Sequence, residues 1–105
     1  MDYYIQVLTT TGRKEDAEKI AMTLVERKLA ACVQILGPIT STYRWKGNIE
    51  AAEEWQCVIK SRKDLYKDIE KAIKSIHPYE VPEIIATPII AGSKDYLDWL
   101  QGELV

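Results

Sequence analysis

The chain has 105 residues, 47% hydrophobic and 29% charged, which is the composition of one globular domain and not of a disordered or fibrous segment. A net charge of −2 argues against a free-standing nucleic-acid binder, and no apolar run approaches the roughly 18 residues of a membrane span. Two Cys are too few for a disulfide scaffold, and Met1-Asp2-Tyr3-Tyr4 carries no secretory pattern, so a cytoplasmic location is expected. The aromatic set is six Tyr and three Trp with no Phe, so every ring carries a polar end suited to half-wet surfaces and interfaces.

In chain order, Tyr3 to Thr9 is β-branched and aromatic and predicts a strand, with a turn through Gly12. Ala17, Ile20, Ala21, Leu24 and Val25 then recur at helical spacing, with Glu15 and Asp16 in the first turn and Arg27 and Lys28 in the last. Ala31 to Trp45 predicts a long strand broken at Gly37-Pro38. A short hairpin loop over Trp45 to Ile49 leads into a returning strand, Glu53 to Ser61, with Trp55, Cys57 and Ile59 on one face. Ser61 is the expected N-cap of a second helix bearing Leu65, Ile69, Ala72, Ile73 and Ile76, which His77-Pro78 ends. Glu83 to Ala91 predicts a strand whose Pro88 favours an edge, and Gly92-Ser93 opens a last helix with Tyr96, Leu97 and Leu100 inward.

The order βαββαβ plus a C-terminal helix predicts an α+β, ferredoxin-like fold: an antiparallel sheet with helices on one face and a long hairpin. The other face is left without cover. A protruding hairpin with Tyr43, Trp45 and Trp55 makes self-association the economical way to cover it.

Few residues carry a chemical signal. With the hairpin centred near Gly47, Cys32 and Cys57 fall several residues out of register, which argues against a disulfide between them. Each reads either as a small core residue or as a soft-metal donor, and neither has a CxxC partner. His77 is the single histidine and opens His77-Pro78-Tyr79-Glu80-Val81-Pro82-Glu83, an imidazole, a phenol and carboxylates on a rigid loop. It reads either as a metal or polar-ligand site or as a histidine placed against a helix dipole. One histidine cannot close a metal site, so further ligands would come from neighbouring subunits. Thr9 to Lys14 reads as an ordinary strand-to-helix turn, without a P-loop pattern. Glu53 and Glu54 point to opposite faces of a strand and cannot act together.

Several strings occur together: Leu29-Ala30-Ala31-Cys32-Val33, Tyr43-Arg44-Trp45-Lys46-Gly47 with Ile49-Glu50, Glu53 with Trp55, Lys60, the His77 to Glu83 run, and Tyr96-Leu97 with Trp99. In this order and spacing the chain resembles the CutA family of divalent-cation tolerance proteins over essentially its whole length. The resemblance implies a cytoplasmic, PII-like homotrimer whose long strands pair across subunits. It also implies a role in tolerance to divalent metals, copper in particular, with no required cofactor and no reaction to carry over. Cys32 and His77 match the family's cysteine and histidine and become the candidate copper ligands, a chemically permissible pair.

The leading expectation is a trimeric metal- or small-ligand-responsive module. Its cleft between subunits would be lined by Tyr43, Trp45, Lys60, His77, Tyr79 and Glu80. The alternatives are a structural trimer that docks a protein partner, and an enzyme using His77 as base with Glu80 or Tyr79 as orienter.

Overall fold

The computed structural model describes residues 3–105; Met1 and Asp2, part of the terminus read above for a secretory pattern, lie outside the described residues. Four strands form one antiparallel sheet in the order β2-β3-β1-β4, with β1 at Tyr4–Thr11, β2 at Cys32–Trp45, β3 at Asn48–Arg62 and β4 at Ile85–Ile89. Helices α1 (Lys14–Glu26), α2 (Tyr66–Ile76) and α3 (Lys94–Gly102) complete the expected ferredoxin-like α+β order.

The core follows from alternation. Ile5, Val7, Cys57 and Ile59 project from one face of β1 and β3 and are buried against Ala17, Ile20 and Leu24 of α1 and Ile69, Ala72 and Ile73 of α2. Val25, expected in the α1 stripe, is instead exposed. Helix α1 stops at Glu26 because Lys28 turns to φ 58°, so Arg27 and Lys28 lie beyond the last turn.

The boundaries differ in instructive places. β1 continues through Thr11, where a turn was expected, because β3 is long enough to offer Gln56 and Trp55 as partners for Thr10 and Thr11. The hairpin loop is only Lys46-Gly47, since Trp45 pairs with Asn48 and both turn residues have positive φ, 50° and 85°. β3 therefore starts well before Glu53. Ser61 is not a helix cap. It is a buried β3 residue whose hydroxyl donates to the Leu29 carbonyl at 2.6 Å, and α2 is entered through a 3-10 turn at Lys63–Leu65 with no side-chain cap. Edge strand β4 is shorter than expected but accommodates Pro88. Ser93 does cap α3, accepting from the Tyr96 N–H at 3.3 Å.

Of the residues expected inward on α3, Leu100 is buried while Tyr96 is exposed. The helix lies against one end of the second sheet face. Tyr4 and Arg62, in register and pointing away from Ile5, reach Gln101 at 3.5 Å and the Val105 carbonyl at 3.0 Å. Elsewhere on that face Leu36 and Ile85 stay exposed among the described residues.

The decisive irregularity is in β2. Leu36 pairs with Gln56 and Ile39 with Glu54, so Gly37 and Pro38 together oppose Trp55 alone, a bulge of one residue. One extra residue inverts the facing of everything beyond it. Odd-numbered Val33 and Ile35 share the core face with Ile59 and Cys57, whereas odd-numbered Tyr43 and Trp45 share the opposite face with Glu54. The Trp55 indole lies directly over Gly37, where any Cβ would overlap it. Gly37→Ala is expected to destabilise the fold by about 1–3 kcal/mol through overpacking, seen as a lower Tm. An unchanged melting curve would show that Trp55 can move aside.

Candidate functional site

Beyond the bulge, the second face of the sheet and the loop after α2 enclose a cavity of about 310 Å³. Tyr43 and Trp45 of β2, Glu54 of β3 and Thr10 of β1 line it from the sheet. The loop contributes Tyr79, Glu80, Val81 and Glu83.

His77 fastens this loop. Its Nε2 lies 2.7 Å from the Thr10 carbonyl oxygen, and its Nδ1 accepts the Tyr79 backbone N–H at 3.1 Å. Nδ1 can accept only if the proton sits on Nε2, which then donates to the carbonyl. Tyr79 next crosses to the sheet, its hydroxyl donating to Glu54 Oε2 at 2.7 Å. The His77 and Tyr79 rings pack 4.8 Å apart. Burial first, then the Glu54 hydrogen bond and negative charge, hold the Tyr79 phenol well above its ordinary value.

Of the residues expected to share a cleft, the chain brings Tyr43, Trp45, Tyr79 and Glu80 together around the cavity, with His77 behind them as the clasp. Lys60 stands elsewhere. It pairs with Gln6 and Cys32, and its ammonium donates to Gln34 Oε1 at 2.9 Å. Along β1, Gln6 is four residues from Thr10, about 13 Å at the usual rise.

The two candidate metal ligands likewise belong to different rows of the sheet. Cys32 belongs to the Lys60 row, half-buried on the second face, while His77 is buried at the Thr10 carbonyl with both nitrogens engaged. Among the described residues no group of three His, Cys, Asp or Glu is close enough to hold one metal ion. Both cysteines are free. Cys57 takes the core reading: it is fully buried, its thiol donates to the Ala17 carbonyl at 3.7 Å, and burial pushes its pKa up to about 11.

Sequence reasoning missed Glu54, Thr10, Val81 and Glu83 as lining residues. Glu54 was dismissed with Glu53 because adjacent strand residues face opposite ways, which is true, yet Glu54 without Glu53 joins Thr10 as a buried wall of the cavity. Its alignment with Tyr43 and Trp45 follows only once the bulge residue is counted.

Comparison with known families matches residues 5–103 to CutA1, the CutA1 divalent ion tolerance protein. A divalent-cation tolerance protein CutA from Thermus thermophilus is 43% identical over 95 residues, covering 90% of this chain and 92% of that protein. A chloroplastic CutA from Arabidopsis thaliana is 40% identical over 97 residues, covering 92% of this chain but only 53% of its own length. The solved Thermus thermophilus structure superimposes with a TM-score of 0.94 at 40% identity, covering 97% of this chain and 99% of that one.

The Tyr79–Glu54 bond yields a test. The folded state holds the phenolic proton more tightly than the unfolded chain, so this contribution to stability is fully present below pH 10.0, the ordinary value, and is lost as pH rises above it. Tyr79→Phe is expected to cost about 1–3 kcal/mol at neutral pH and to flatten the alkaline loss of stability. Identical alkaline slopes for both proteins, measured by urea unfolding, would refute the assignment. By sequence coverage, identity and superposition, the chain belongs to the CutA1 divalent ion tolerance family.

Proposed function

We propose that the protein acts as a homotrimeric, PII-like module of divalent-cation tolerance that takes up a metal ion or small ligand and signals its presence, with no reaction of its own. The observation that carries this reading is the second face of the sheet. Leu36 and Ile85 lie on it 48% and 49% exposed, and the hairpin and the segment after β4 present Ile49 and Ile90 at 71% and 87%. Exposed apolar area on this scale favours association. The hairpin lends itself to the same end. Strands of 14 and 15 residues run along a molecule 45 Å long, and most of the distal half of β2 is exposed. Such strands can add to a neighbour's sheet edge, which would set the cavity beside a subunit boundary.

The metal part of the reading rests on the family and on Cys32. A half-buried thiol on the face where subunits would meet is a soft donor suited to copper(I). Ligands from other subunits would have to complete the site, and His77 would have to give up one of its two hydrogen bonds. Both cysteines being free suits a reducing compartment, the cytoplasm.

Light scattering is expected to give three times the 12.0 kDa chain mass. A monomer at micromolar concentration would overturn the reading. Trp45→Ala is expected to leave the circular dichroism of the chain intact while weakening assembly by about 2 kcal/mol or more. Calorimetric titration of copper(I), copper(II) and zinc(II) tests the donors, and undiminished binding in both Cys32→Ala and His77→Ala would remove these two residues as ligands.

A further inference from the structure

The cavity has a lining that suits one class of cation better than another. Three carboxylates, Glu54, Glu80 and Glu83, and three aromatic side chains, Tyr43, Trp45 and Tyr79, surround it, with no Lys, Arg or His among its lining residues. Glu54 is only 6% exposed. Among the described residues it makes no ion pair, and Tyr79 is the donor to its Oε2 while Oε1 accepts no hydrogen bond. Glu54 Oε1 is not sealed from solvent; it opens toward the cavity, where a cation would supply the countercharge that the described residues do not.

A hard divalent ion needs several oxygen ligands converging on one point. The described residues gather no such group. A quaternary ammonium ion makes no such demand. It is large and weakly hydrated, and it is held by ring faces within about 6 Å together with diffuse negative charge. Trp45 already takes a cation on one side, for Lys46 Nζ stands 5.7 Å from its ring centroid.

We propose that this cleft binds a small quaternary ammonium ion, with Tyr43, Trp45 and Tyr79 as aromatic walls, Glu54 as countercharge, and the exposed Glu80 and Glu83 attracting it from solvent. This deepens the reading of the cleft as a ligand site and does not depend on the copper assignment.

The test compares choline with its uncharged isostere 3,3-dimethyl-1-butanol, titrated into the full-length protein by calorimetry, with light scattering on the same sample. Choline is expected to bind at one site per chain and the isostere about tenfold more weakly. Glu54→Gln, which keeps an acceptor for Tyr79, is expected to lower choline affinity about tenfold while preserving scattering mass and Tm. Glu80→Gln, a surface change, is expected to lower it by a smaller factor. Equal binding of both compounds, or undiminished choline binding in Glu54→Gln, would overturn the proposal. So would no choline binding up to about 10 mM in a sample of trimeric mass, the result expected if a basic residue of a second copy already fills the cleft. Binding of a trimethyllysine peptide without free choline would assign the cleft to a protein side chain and overturn the small-molecule reading. A monomeric mass with choline binding intact would sink the trimer and support this inference.

Discussion

The single extra residue at Gly37-Pro38 is the constraint on which the rest of the site depends. A strand that alternates without interruption sends all its odd-numbered residues to one face. Val33 and Ile35 must face the helices to complete the core, so an uninterrupted β2 would turn Tyr43 and Trp45 to that same side. The bulge inverts the distal half, and both rings join Glu54 on the open face. Gly37 permits it because the Trp55 indole occupies the space a side chain would need.

The loop after α2 is the second half of the construction. Its prolines limit its conformations, and His77 anchors it by spending both ring nitrogens on backbone groups. The anchor positions Tyr79 so that its hydroxyl meets the buried Glu54 carboxylate of the sheet face. A histidine used in this way is structural within the chain. Its proximity to the cavity is real, yet it acts on the cavity through Tyr79.

The phenols also explain part of the aromatic bias. Tyr79 donates to Glu54, Tyr66 to the Ile84 carbonyl at 3.3 Å, and Tyr4 to Gln101. Phenylalanine could fill these spaces but could not make the bonds. Trp45, Tyr96 and Trp99 are different, since they stay partly exposed in one chain, at 38%, 41% and 46%. These rings and the apolar Leu36 and Ile85 are the surface on which the proposed association rests, and the cleft's uncompensated carboxylates would gain from a cation there.

Much was legible in sequence. Period-two and helical spacing identified the four strands and three helices, the clustering of turn residues located the hairpin, and Cys32 and Cys57 were read as out of register. The strings around Tyr43 and His77 pointed to the family, which whole-chain similarity bears out. These features are local, so a linear reading reaches them. Ser61 as a cap failed because a strand residue with a long-range partner, Leu29, looks the same in sequence as a cap. Within one chain Lys60 lies in a different row from the cavity, a separation that sequence order does not carry. The chain by itself therefore determined the order of elements, the core stripes and the chemical types available at the cleft. Only tertiary structure decided which of those residues meet, because a bulge of one residue and a loop clasped by His77 act on facing and distance, which spacing along the chain does not encode.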